Sequence, residues 1–314
     1  MDCFDCLPDS IIIDIFNAVA DVKALACCRA VSRRFHSLVP HADALLLRVD
    51  RVLPDPGPDS PFLSLLRTLL SSVYHLLSPH PAAAPEPPNN PTRVLRGFAR
   101  IRDLEIELPA GDLRLEKGTV VRYRAVFGEQ LRSCVILGFR HGRGGGGAGE
   151  AQDGFGEGLK ERVAWILSAL AGASARRRYV AREVAREHAG LARLAVRDRD
   201  GEGEVVMDEL GLREAATAAA AAEAAGSHGE GPRKLVVPTL RMSMRHASTV
   251  EIAGGGGGVR LEGPMLVVVR PDEDGGAAED DAELALEAFG GGAYGEAVRA
   301  LLKSRSHQLE MNPF

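Results

Sequence analysis

The chain has 314 residues, enough for about two domains, one of them with a sizeable core. Its formal net charge of −5 argues against nucleic acid as a partner. Apolar residues make up an ordinary 45% with no run near ~20 of them, which argues against a membrane span; aromatics are scarce at 5%.

The N-terminus is acidic and lacks the basic-then-apolar layout of a signal peptide, so an intracellular address, cytoplasm or nucleus, is expected. A helix is predicted from Pro8, whose missing N–H suits a first turn. Asp9 and Asp14 are acidic near its positive end. Ile12, Ile15, Phe16 and Val19 share one side, and Ile11, Ile13 and Ala18 are apolar as well. A surface helix needs an apolar stripe of only about 100°. This one is apolar over more than that, in a run of helices too short to shelter it alone. Asp21 caps a second helix, Val22 to Arg29, with Val22, Leu25 and Ala26 inward. Ser32 caps a third that ends near Leu38, with Pro40 as its stop.

LPDSIIIDIF followed by AVSRRFHSLV resembles the F-box family, whose pattern is Leu-Pro, an apolar helix, a helical link, then Val-Ser/Cys-basic-basic-aromatic. Two departures stand out: the aromatic is Phe35 where Trp is commoner, and the link from Ala20 to Ala30 is one residue longer. The resemblance implies docking on the Skp adaptor of a cullin-RING ubiquitin ligase through Leu7, Pro8, Ile11, Ile12, Ile15, Phe16, Val31, Ser32 and Arg33. The plainer reading of the same residues is a three-helix cap on a larger core.

After the F-box region, His41 to Val52 is expected to continue as helix or strand, up to the prolines at 54, 56, 58 and 61. Phe62 to Leu77 has the three-four spacing of a buried helix face, read as a linker helix in preference to a partner groove. Ser78 to Pro91 is a proline-rich extended loop. LRGFARIRDLEIELP, from Leu95, orders a helical turn before an alternating strand, and its L-x-I-x-L spelling suggests a leucine-rich repeat. Strands are predicted at Thr119 to Phe127 and Leu131 to Arg140. A glycine-rich loop leads to a helix from Gly158 to Gly172, buried through Leu159, Val163, Ile166, Leu167 and Leu170, with Trp165 beside that face. A second helix covers about Arg176 to His188. A strand at Leu191 to Arg197, the DRDGEG turn, a short strand and an Ala-rich helix capped by Asp208 follow. Further strands are read at Leu235 to Arg245 and Val259 to Arg270, and Ala282 to Lys303 forms closing helices broken at Gly290 to Gly292.

Alternating strands and helices argue for parallel pairing with some antiparallel hairpins. The expected fold is α+β/α/β: a three-helix F-box at 1–50, a linker helix and Pro-rich loop at 51–92, and an irregular leucine-rich-repeat-like α/β substrate-recognition domain at 93–314. ERVAWILSALAGASARRRY, DRDGEG and LRMSMRHASTVEIAGGGGGVRLEGPMLVVVRP extend the resemblance over nearly the whole chain, to the plant F-box group that includes the auxin-up-regulated F-box proteins. That resemblance implies ligase-subunit function in plant hormone signalling.

Other candidate chemistry is poorly supported. Cys3, Cys6, Cys27 and Cys28 lack zinc spacing, because adjacent helix positions diverge by about 100°. Reduced thiols and no metal are expected. The glycine runs Gly142 to Gly149 and Gly254 to Gly258 lack the Lys and Ser/Thr of a phosphate loop. Asp198, Asp200 and Glu204 lack the closing ligand of a calcium loop, and an Asp-Gly turn is preferred. Arg176, Arg177, Arg178, Arg182 and Arg186 form a helical stripe, read as a solvated face, the alternatives being an import signal or a pocket for acidic targets. No nucleophile–base arrangement is legible, so no enzyme activity and no cofactor are expected. The function expected is a non-catalytic substrate receptor with an unknown protein target. The alternative is a regulatory scaffold that binds the adaptor outside a ligase.

Overall fold

The computed structural model describes residues 4, 6–48, 95–109, 115, 118–141, 155–184, 188, 190–226, 239–252, 258–272, 278–292 and 294–311. The expected Phe62 to Leu77 helix, the Pro-rich loop, most of both glycine runs, and the stretch at 235–238 lie outside these residues. The chain has three short N-terminal helices followed by a mixed sheet with several further helices. It divides into two compact units, Met1–Ala110 with Arg177–Asp200 and Val206–Ala224, and Gly111–Arg176 with Gly201–Val205 and Ala225–Phe314.

In the first unit, α1 (Asp9–Val19), α2 (Val22–Arg29) and α3 (Arg33–Leu38) start at local signals. Asp21 accepts from the Ala24 N–H at 3.0 Å, and Ser32 accepts from the Phe35 N–H at 3.1 Å. Both satisfy helix-end donors that would otherwise lack a partner. A 3₁₀ turn at Val39–His41 absorbs Pro40, and β1 (Ala44–Arg48) follows.

β1 pairs in parallel with β2 (Asp103–Leu108), and β2 pairs in parallel with β5 (Arg193–Asp198). Leu45, Leu104 and Leu194 align across the three strands, as do Leu47, Ile106 and Val196, and all six are buried. The strands' period of two places Glu105, Glu107 and Arg197 on the other face. There Glu107 faces Arg48 at 3.9 Å, Arg197 at 3.5 Å and Arg199 at 3.3 Å. β1 is stitched back to the helices: the Leu46 N–H donates to the Ala20 carbonyl at 2.9 Å, and Asn17 Oδ1 accepts from the Asp43 N–H at 2.9 Å.

The second unit holds β3 (Thr119–Phe127), β4 (Leu131–His141), β7 (Leu240–His246), β8 (Thr249–Ile252), β9 (Val259–Pro271) and β10 (Ser306–Met311). The order is β3-β4-β9-β7-β10, with β8 also on β9, and every one of these pairings is antiparallel. Parallel pairing, expected to dominate with some antiparallel hairpins, joins β1, β2 and β5, and the sheet of the second unit is antiparallel instead. The reason is local: β7, β8, β9 and β10 are joined by short connections or by helix pairs that return the chain in the opposite sense, as hairpin-type links require.

One face of this sheet is covered by α6 (Ala278–Phe289) and α7 (Gly295–Leu302), whose Ala285, Ala297, Val298 and Leu301 pack with Val135, Leu137, Phe139, Leu266 and Val268. Gly138 opens room for the indole of Trp165, because a Cβ there would lie 2.7 Å from Trp165 Cε3. Trp165 sits on α4 (Phe155–Glu183), one continuous helix where two were expected. A glycine inside a helix costs only about 1 kcal/mol, so Gly172 does not break it once the flanking Ala169 and Ala173 are buried. The buried stripe is Trp165, Ile166, Ala169, Ala173 and Arg176, while Val163 and Leu167 are exposed. Of the expected face, Ile166 is buried and Leu159 and Leu170 are half-buried, while the small Ala169 and Ala173 take the inward places that bulk assigned to Val163 and Leu167. Arg176 is buried and its guanidinium lies 5.3 Å from the Tyr123 ring centroid, so it is no part of a solvated stripe. β6 (Gly203–Asp208) and α5 (Glu209–Gly226) complete the element order, with Gly201 at φ +66° in the turn before β6 and Asp208 Oδ1 accepting from the Gly211 N–H at 2.7 Å.

Candidate adaptor-binding surface

α1 divides its isoleucines between two environments. Ile12 and Phe16 are 1% and 3% exposed, whereas Ile11 and Ile15 keep 44% and 38% of their surface in solvent. Ile11, Ile15 and the exposed Val19 are four residues apart and form one stripe along the helix. The inward pair belongs to the packing of the three helices on one another: the Phe16 ring meets the Phe35 ring edge-on at 5.3 Å. The shorter aromatic at position 35 thus fills the place between α1 and α3.

The other expected contact residues lie ahead of α1 and at the α2–α3 corner. Pro8 is exposed and extended, Leu7 is half-buried, and Val31 is 70% exposed beside exposed Ser32 and Arg33. These two segments meet through Arg34, one residue past the expected set. Its Nη2 donates to the Leu7 carbonyl at 2.5 Å and to Asp9 Oδ1 at 2.6 Å. Its Nη1 donates to the Phe4 carbonyl at 2.8 Å. Phe4, also exposed, sets its ring edge-on to Phe35 at 5.5 Å. Leu7 and Pro8 are therefore held against α3, while Ile11, Ile15 and Val19 stand open. Sequence reading missed Arg34 and Val19 as part of this surface. Val19 was legible as the next step of the four-residue stripe; Arg34 carried no signal beyond its place in VSRRF.

A family model described as F-box-like matches residues 4–49. F-box protein AUF1 of Arabidopsis thaliana is 44% identical, and F-box protein AUF2 of the same organism 45%, each over the full length of both chains. The chain belongs to the F-box protein family. Three further Arabidopsis thaliana F-box proteins are 32% identical over all of this chain and 94% of their own. No solved structure matches the chain. F-box proteins are generally non-catalytic substrate receptors of SCF ubiquitin ligases, and the F-box domain typically binds Skp1-type adaptors. An open apolar stripe such as that on α1 is a surface another protein can cover.

Cys6, Cys27, Cys28 and Cys134 are free thiols, and Cys3 lies outside the described residues. Among the described residues no His, Cys, Asp and Glu side chains cluster so as to hold a metal ion, and no helix is long and apolar enough to cross a membrane.

Proposed function

We propose that this F-box protein is the substrate-receptor subunit of an SCF-type E3 ubiquitin ligase. The observation that carries the reading is the half-exposed state of Ile11 and Ile15 on a helix whose Ile12 and Phe16 are buried. Leu7, Pro8, Ile11, Ile15, Val31, Ser32 and Arg33 bury against the Skp adaptor, and Ile12 and Phe16 hold α1 in place from within. Residues 1–50 act as the adaptor module, 51–92 as a connector and 93–314 as the target-recognition domain. Within that domain the β2–β5 pair is leucine-rich-repeat-like; the aligned Leu-x-Ile/Val spacing of the two strands supports this.

The protein performs no bond chemistry itself. It holds a target beside the ubiquitin-charged enzyme, and effective concentration supplies the rate gain. The resemblance to the auxin-up-regulated group supports plant hormone signalling as its setting, in the cytoplasm or nucleus. The test is reconstitution from purified chain, Skp adaptor, cullin-RING module and ubiquitin-charging enzymes. Adaptor-dependent co-elution of the cullin, with ubiquitin transfer to the chain or its captured target, is expected. If the adaptor binds and the cullin is excluded, the protein is a scaffold outside the ligase.

A further inference from the structure

Among the described residues, the segment before α1 has few backbone hydrogen bonds of its own. Pro8 has no N–H, and its side chain offers no cap to α1. The Pro8 carbonyl accepts from the Ile11 and Ile12 N–H groups at 3.1 and 3.3 Å, which fixes the helix start and nothing upstream of it. Upstream, the Leu7 N–H reaches the Phe4 carbonyl at 3.2 Å. The Phe4 and Leu7 carbonyls and the Asp9 carboxylate instead converge on one guanidinium, that of Arg34, through four donated bonds of 2.5 to 3.0 Å. The next residue, Phe35, packs its ring against Phe4 on one side and Phe16 on the other. Two consecutive side chains of α3 therefore grip Phe4, Leu7 and Asp9.

We propose that Arg34 is a positioning residue for adaptor binding, acting through Leu7 and Pro8, which it holds in the conformation that docks. The proposal rests on the adaptor-binding reading above. A planar guanidinium reaches two carbonyls and a carboxylate at once because its donors point outward in a fixed fork. A lysine ammonium keeps the charge and loses the fork, so Lys at this position does not replace Arg. Ordering the lead before binding removes an entropic penalty from the docking step, and removing the brace restores it.

The test uses the full chain and the purified adaptor. Arg34→Lys is expected to weaken adaptor binding about tenfold in calorimetric titration, with the unfolding midpoint of the chain preserved. Arg34→Ala is expected to weaken it at least as much; where it impairs folding, Arg34→Lys carries the test alone. The decisive readout is a double-mutant cycle with Leu7→Ala, which itself leaves measurable binding. If Arg34 acts through the lead, Arg34→Lys adds little to the loss already caused by Leu7→Ala. Fold losses that multiply would assign Arg34 a general structural part and overturn the proposal. So would Arg34→Lys binding like the unmutated chain. Failure of the unmutated chain to bind the adaptor sinks the underlying reading and the brace together, whereas normal binding that survives Arg34→Lys sinks the brace alone.

Discussion

Truncating Ile11 and Ile15 together to alanine separates docking from folding. Full burial of an isoleucine side chain contributes roughly 1.5–3 kcal/mol. Since 44% of Ile11 and 38% of Ile15 are open in the free chain, covering what remains is worth about 1 kcal/mol for each. The pair therefore supports about 2 kcal/mol of adaptor binding, or roughly thirtyfold in Kd. Each truncation alone costs the folded chain less than the loss of a fully buried side chain, because more than a third of each isoleucine is already in solvent. Ile12→Ala and Phe16→Ala do the opposite: both side chains are buried, and such deletions cost about 2–5 kcal/mol of stability. Calorimetric titration with the adaptor and thermal unfolding of each variant measure the two effects. If either outer truncation alone lowers the unfolding midpoint as much as Ile12→Ala does, or the outer pair leaves adaptor affinity unchanged, the division of α1 into an inner and an outer face is wrong.

Gly138→Ala forces a Cβ to 2.7 Å from Trp165 Cε3 and 3.1 Å from Met265 Cε, an overpacking expected to cost about 1–3 kcal/mol. Trp165 is the only tryptophan, so urea unfolding followed by its fluorescence reads that site directly. Burial pushes the Cys134 thiol from 9.0 to about 12. Alkylation at pH 8 followed by mass spectrometry should mark exposed Cys6 and Cys27 in the native chain and Cys134 only after unfolding. The same shift sets a sign for stability. The buried neutral thiol's contribution is complete below the unfolded pKa near 9 and declines as pH rises toward about 12, because the unfolded chain ionises first. Unfolding midpoints measured in a Cys134→Ser variant should fall less steeply over that window.

The helices of the F-box region were legible because their starts are local events. Asp21 and Ser32 each cap the helix that immediately follows, and no distant residue is needed to see it. β3, β4 and β9 were legible for a similar reason, being long apolar or alternating runs. What the sequence concealed depends on distant partners. α4 turns its small residues, Ala169 and Ala173, inward, and leaves Val163 and Leu167 in solvent; only the sheet it packs on decides this. Arg176 looks like one charge in a basic run until Tyr123 lies beneath it. β8 is four residues long, and the β10 stretch SHQLEM is largely polar, so neither stands out without its partner on the sheet. In the candidate site, the apolar positions of α1 were visible. Their split into inner and outer pairs, and the reach of Arg34 back to Leu7, were not, since both depend on how α3 lies against α1.

The most direct measurement is a methyl NMR titration of isoleucine-labelled full-length chain with unlabelled adaptor. The account predicts that the Ile11 and Ile15 methyl signals shift and broaden on binding, while those of Ile136 and Ile252, buried in the second unit, stay where they are. Unchanged Ile11 and Ile15 signals at saturating adaptor would contradict it.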